Sequence, residues 1–140
     1  MAFIQTLTTS FKQEILLGVH DLDTDTLKMA LYTANADLNA DTTVYDPLAV
    51  GQVVGAGYTA GGNTLTGVTV LTSGTTAYVD FANSSWSPAS FTARGALIYN
   101  ASKGNKAIAV LDFGSDKTAT TTFTVQMPAN TATNALIRIS

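Results

Sequence analysis

Cysteine is absent from this chain of 140 residues. Neither a disulfide framework nor a thiolate metal site can therefore form, and cysteine catalysis is excluded. A chain without disulfides is typical of proteins that fold in a reducing cytoplasm. At this length we expect one domain over residues 1–140, with a core that removes about 68–70% of the unfolded chain's surface from water.

Charge is also scarce, because Asp, Glu, Lys and Arg make up 12% of the chain. The usual share in globular proteins is about 25%. Threonine, alanine, serine and asparagine take their place, and hydroxyl and methyl groups are less costly to bury against a neighbour than charged groups. One interpretation of this composition is a subunit of a larger assembly. The alternative is a simple β bias, since threonine suits exposed strand faces.

The seven basic residues are scattered along a chain of net charge −3. Without a basic stripe, we expect no direct contact with nucleic acid. No apolar run reaches the ~18 residues of a transmembrane helix. The first residues lack the basic start and unbroken apolar core of a signal peptide, so we expect no membrane partner.

Hydrophobic alternation and turn residues predict strands along most of the chain. The strongest signal is a hairpin, in which apolar runs at 93–100 and 106–113 flank a turn containing Gly104 and Asn105. Further strands are predicted at residues 27–32, 50–54, 65–71, 77–81, 121–127 and 135–139. About eight short strands without a βαβ rhythm predict an all-β fold, a single antiparallel β-sandwich of jelly-roll-like form.

One short helix is predicted near the N-terminus. Ser10 is placed to cap it, and Gln13 would complete a capping box. Phe11, Ile15 and Leu16 would share its buried face, and Gly18 would end it.

The residues before this helix are candidates for a docking arm, so residues 1–18 are expected to form an arm and a helix. Chain termini are mobile unless they are tied down. Phe3, Ile4 and Leu7 are apolar yet precede the predicted domain. These three residues are therefore the candidate docking residues.

The only histidine, His20, opens an acidic segment. Three alternating aspartates follow it: Asp21, Asp23 and Asp25. This spacing resembles the start of a calcium loop, but Thr26 stands where that loop needs glycine and Tyr32 where it needs glutamate. A polar turn, in which aspartate side chains accept backbone N–H groups, is the favoured interpretation.

Other catalytic patterns are incomplete. The glycine-rich segment 55–62 precedes a predicted strand rather than a helix, so it fits a β turn better than a phosphate loop. No G-x-S-x-G elbow accompanies His20. Glu14 is the only glutamate, so a glycosidase pair would depend on aspartates that the sequence cannot place. We expect no enzyme activity, no cofactor and no metal.

Aromatic residues offer one binding hypothesis. Trp86, Tyr58 and Tyr78 could form a stacking platform for a sugar, although such residues more often pack in a core or on a sheet face. Arg94 is expected to pair with Asp80 or Asp112 rather than with a ligand.

Four segments, which run nearly from end to end, resemble a known family. They are "LLGVHDLDTDTLKMALYT" from Leu16, "GYTAGGNTL" from Gly57, "VDFANSSWSPASFTARGALIYN" from Val79 and "AIAVLDFGSDK" from Ala107. The chain is similar to small virion structural proteins encoded among the head and tail genes of tailed bacteriophages. The resemblance implies a β-rich fold and a place in the virion, after synthesis in the bacterial host cytoplasm, and it supplies no catalytic residue.

Three functions follow as alternatives. The first is a capsid decoration (cement) protein that associates with itself, as a trimer, and with the major capsid protein. The second is a tail adaptor or fibre-attachment protein that contacts other tail proteins. The third, suggested by the aromatic residues, is a carbohydrate-binding module for the host surface.

Overall fold

The predicted hairpin is present and forms the centre of the fold. In the computed structural model, which describes residues 4–140, its two strands pair antiparallel and are joined by a short 3-10 helix. Gly104 and Asn105 complete the turn with φ angles of 66° and 62°.

The described residues contain ten strands and one α-helix. In chain order these are β1 Thr6–Leu7, α1 Thr9–Leu16, β2 Leu27–Tyr32, β3 Asn63–Thr64, β4 Thr69–Ser73, β5 Thr76–Asp80, β6 Ser84–Trp86, β7 Phe91–Asn100, the 3-10 helix Ala101–Lys103, β8 Lys106–Ala119, β9 Phe123–Val125 and β10 Ile137–Ile139. They form a five-stranded sheet ordered β1-β8-β7-β2-β3, a three-stranded sheet ordered β10-β5-β4 and a two-stranded sheet of β6 and β9. Every strand pair in residues 4–140 is antiparallel. The predicted all-β sandwich with one short N-terminal helix is confirmed.

The five-stranded sheet is buried on both faces. On one face, Met29 and Ile98 join a large apolar core shared with α1 and the two smaller sheets. On the other, Tyr32 and Leu97 pack under the long loop between β2 and β3, which contributes Leu38. This double burial explains why nearly all of β2 is buried, although its alternating pattern is typical of a strand with one solvent face.

Register shifts in the hairpin keep the core continuous. The pairing of β7 with β8 shifts between Ala93 and Gly95, where β7 has one intervening residue, Arg94, and β8 has four, residues 113–116. A bulge changes which alternate residues face inward. Ala93 and Ala96 therefore lie in the same core, although regular alternation would place them on opposite faces.

The helix differs from its prediction in its cap and its buried face. Thr8, not Ser10, is the N-cap, and its hydroxyl accepts the N–H of Phe11. Thr8 is fully buried, and its hydroxyl also donates to the carbonyl of Ala107 in β8. Leu16 does not share the buried face of Phe11, since its side chain is 87% exposed.

Four predicted strands are shorter than expected. The predicted strands 121–127 and 135–139 are reduced to β9 and β10. Residues 50–54 form only an isolated bridge, between Gln52 and Tyr32. The segment 65–71 is strand only from Thr69 onward, because residues 65–68 cross from the large sheet to the three-stranded one.

Candidate functional site

The residues with most potential for chemistry meet in one buried polar cluster. We define the His20 cluster as Glu14, His20, Asp25 and Asn100. Nε2 of His20 lies 2.9 Å from Oε1 of Glu14, and Nδ1 lies 3.0 Å from Nδ2 of Asn100. Nδ2 of Asn100 also donates to Oδ2 of Asp25 at 2.7 Å. The cluster joins α1, the turn after it and the end of β7.

The hydrogen bonds determine how the protons are arranged. Oδ1 of Asn100 accepts the N–H of Ser102, so its amide NH₂ faces Asp25 and His20. Nδ1 of His20 is therefore an acceptor, and its proton lies on Nε2 and is donated to Glu14. Both ring nitrogens are thus occupied by the protein's own side chains.

Two lysines border this cluster without entering it. Nζ of Lys103 lies 3.9 Å from Asp25 and Nζ of Lys106 lies 3.8 Å from Glu14. Burial raises the pKa of the Asp25 carboxyl, but the hydrogen bonds from Asn100 and the Asp21 N–H and the charge of Lys103 outweigh it. The net pKa is lowered, which keeps Asp25 ionised near neutral pH.

The aspartates after His20 form a polar turn. Oδ2 of Asp25 accepts the N–H of Asp21 at 3.0 Å, and Oδ1 of Asp21 accepts the N–H groups of Asp23 and Thr24. Among residues 4–140, no three His, Asp or Glu side chains are grouped to hold a metal ion. The carboxylates of Asp21 and Asp25 organise their own backbone, as the favoured interpretation expected.

A second polar network fastens the glycine-rich segment 55–62 to the large sheet. Oε1 of Gln52 accepts from the Tyr58 hydroxyl and from the Gly61 N–H, both at 2.8 Å. The Tyr99 hydroxyl donates to the Gly61 carbonyl at 2.7 Å. The N–H groups of Tyr58, Gly61 and Gly62 are bonded to oxygens of the protein, and the segment leads into β3, which agrees with a β turn rather than a phosphate loop.

The tyrosines of this network act as neutral structural groups. Burial raises the pKa of Tyr58 and raises the pKa of Tyr99 to about 12. Their hydroxyls therefore keep their protons at neutral pH and remain hydrogen-bond donors. Gln52, the centre of the network, was not indicated by the sequence, because an isolated glutamine in a loop carries no local signal.

The aromatic platform is not assembled. Trp86 is buried and packs at 6.2–6.3 Å from the rings of Tyr58 and Phe123. Tyr58 is partly buried beside it, whereas Tyr78 belongs to the three-stranded sheet. The structure therefore gives Trp86 a packing role and offers no indole face to a sugar.

Arg94 pairs with Asp112, one of its two expected partners. Its Nε lies 3.2 Å from Oδ1 of Asp112. The Gly114 N–H lowers the pKa of the Asp112 carboxyl, and the hydrogen bond and charge of Arg94 lower it further. Burial raises this pKa, but the contacts with Gly114 and Arg94 outweigh burial, so the net pKa is lowered. Asp80 instead lies buried at the end of β5, where Oδ1 accepts the N–H of Phe81.

The candidate docking residues have different surroundings. Phe3 lies outside the described residues. Ile4 is 56% exposed, and its N–H donates to the carbonyl of Leu38. Leu7 is paired with Ala109 of β8 and packs against the core, so it is an integral part of the sheet. Within this segment, only Ile4 is seen to offer an apolar side chain to a partner.

An apolar groove of about 430 Å³ lies between α1 and the three-stranded sheet, and we call it the α1 groove. Phe11 and Ile15 line its helix side, and Val79 and Ile137 line its sheet side. Sequence reasoning missed this groove because it depends on how a separate sheet packs near the helix.

No helix in the described part of the chain is both long and apolar enough to cross a membrane. Comparison with protein-family models, with curated proteins and with solved structures gives no match for this chain.

Proposed function

We propose that this chain is a non-enzymatic structural protein of a tailed-bacteriophage virion, and that it decorates and stabilises the head shell. The observation that carries the proposal is the exposure of large apolar side chains on a charge-poor surface. Leu16 and Leu17 project beside the α1 groove, and a second group projects from the loop before β3. That second group is Leu48, Val50 and Val54. Grouped exposed apolar residues mark surfaces that are covered by a partner.

The polar interior supports a structural role rather than a catalytic one. His20 is held by Glu14 and Asn100, and Gln52 is held by tyrosines and a loop N–H. These groups fasten loops to the central sheet, and although His20 also lines the α1 groove, both of its ring nitrogens are bonded to side chains of the protein. The proposed role therefore requires neither a cofactor nor a metal.

The partners of this function are other copies of the chain and the major capsid protein. Hydroxyl and methyl groups can be buried between neighbours at low cost, which suits a protein that reinforces a shell. The chain would be made in the bacterial host cytoplasm and then become part of the virion. The function requires no contact with nucleic acid or membrane.

Copy number per particle tests this proposal. The chain is quantified against the major capsid protein in purified virions of the phage that encodes it. We expect an abundance comparable to that of the capsid protein. A small multiple of the tail symmetry would instead support a tail adaptor or fibre-attachment protein, and absence from the particle would reject a virion role.

A further inference from the structure

The α1 groove has an apolar projection directly beside it. Ile15 and Gly18 both line the groove, and the two residues between them, Leu16 and Leu17, are 87% and 69% exposed. A concave apolar surface and a convex one therefore lie side by side on one face of the molecule. Such a face can complement a rotated copy of itself.

Charged side chains of opposite sign also lie around this face. Asp21 and Asp23 line the groove beyond the end of α1. Lys12 is exposed and lies one helical turn before Leu16, so the two share a side of the helix. Within residues 4–140, Lys12 and Asp23 form no ion pair. Lys12, the single basic residue of α1, and the acidic turn after the helix thus flank the exposed Leu16 and Leu17 along the chain.

We propose that the α1 groove is occupied by a second copy of this chain, in a two-fold contact between antiparallel α1 helices. Leu16 and Leu17 of each copy enter the groove of the other. The antiparallel arrangement places Lys12 of one copy beside Asp23 of the second copy and near the negative end of its helix. A two-fold interface uses the same patch twice, which this adjacency of projection and groove permits. This contact adds a self-association to the proposed virion function, and the biological setting of the contact rests on that function.

The oligomeric state in solution tests the contact. Light scattering coupled to gel filtration, over a range of concentrations, should show a dimer of the 14.6 kDa chain. Leu16→Glu should raise the dissociation constant about tenfold or more, because it places a charge in an apolar groove. Leu48→Glu is the matched control, because Leu48 is 90% exposed but does not line the α1 groove. The dissociation constant of the Leu48→Glu dimer should therefore equal that of the wild type. Circular dichroism checks that both variants are folded.

A charge exchange tests the orientation of the helices. Lys12→Glu and Asp23→Lys should each weaken the dimer a few-fold, and the double variant should restore it. Failure of this rescue would overturn the antiparallel arrangement. A wild-type monomer, or equal effects of Leu16→Glu and Leu48→Glu, would overturn the contact. A trimer would overturn the two-fold contact in favour of the three-fold association expected from the sequence.

The two proposals can fail separately. A chain that is abundant in virions but monomeric in solution would reject only the two-fold contact. A dimer that is absent from virions would reject only the virion function.

Discussion

Asn100 and His20 are eighty positions apart in the sequence, yet the Asn100 amide donates a 3.0 Å hydrogen bond to Nδ1 of the histidine. This bond links the end of β7 to the turn that follows α1. The only histidine of the chain is thereby part of the tertiary framework. The same bond leads to the first stability prediction.

Replacing Asn100 with alanine should lower the free energy of unfolding by about 2–4 kcal/mol, because it leaves buried polar groups of His20 and Asp25 without their donor. Urea denaturation followed by circular dichroism measures the loss. Asn134→Ala is the control, since Asn134 is exposed, and should change stability by less than about 0.5 kcal/mol. Equal stability of the two variants would contradict the framework role of the His20 cluster.

Asp80→Asn should make the protein more stable at pH 7, by roughly 1 kcal/mol. The Asp80 side chain is only 2% exposed, and its Oδ2 accepts no hydrogen bond of good geometry from residues 4–140. Burial raises its pKa above the ordinary value, partly offset by the N–H groups of Phe81 and Leu136. The ionised carboxylate is therefore a destabilising group in the folded protein.

The raised pKa of Asp80 makes the stability of the fold depend on pH. The folded state binds the proton of Asp80 more tightly than the unfolded state does. The ionised carboxylate therefore destabilises the fold fully above the raised pKa, and this destabilisation is relieved as the pH falls through that pKa towards 3.8. The advantage of Asp80→Asn should therefore shrink in urea titrations at acidic pH. Asp116→Asn, an exposed control, should show no such trend. A variant less stable than wild type at pH 7 would show that the carboxylate is needed.

Gly62→Ala should cost about 3 kcal/mol or more of stability. Its φ is 78°, and an added Cβ would lie 1.7 Å from the carbonyl oxygen of Met29. Gly74→Ala is the matched control, because φ is 60° there but no atom lies within 4 Å of the added Cβ. It should cost only about 1 kcal/mol. Thermal melts that rank the two variants equally would contradict the close approach at Gly62.

Addition of calcium or of a chelator should leave the melting temperature unchanged. A metal present at about 100 times its dissociation constant would add about 2.7 kcal/mol to stability. The carboxylates of Asp21 and Asp25 already accept backbone N–H groups, so no such gain is expected. A clear fall in melting temperature with chelator would support the calcium alternative.

Local signals predicted the hairpin and the polar turn after His20, because each depends on neighbouring residues. The register shift between Ala93 and Gly95 was not predicted in the same way. It changes which residues face the core, and although Gly114, with a φ of 83°, lies in the extra segment of β8, one glycine does not fix how two strands pair around it. The N-cap was misplaced from Thr8 to Ser10 for a similar reason, since burial of Thr8 against β8 depends on tertiary packing.

The candidate site shows the same limit. The sequence identified His20 and its aspartates as polar residues near one another, but their partner Asn100 belongs to a distant strand. Leu16 was assigned to the buried face from helical spacing, whereas the structure places Phe11 and Ile15 along the α1 groove and leaves Leu16 outside it and exposed. Interfaces between separate sheets are not encoded in local periodicity.

A cryo-electron microscopy reconstruction of the intact head would show whether the protein decorates the shell. Density for the five-stranded sheet and α1 is expected on the outer surface of the shell, at positions that contact the major capsid protein. A head reconstruction in which the other proteins account for all shell density, with this fold seen only at the tail or nowhere, would contradict the claim.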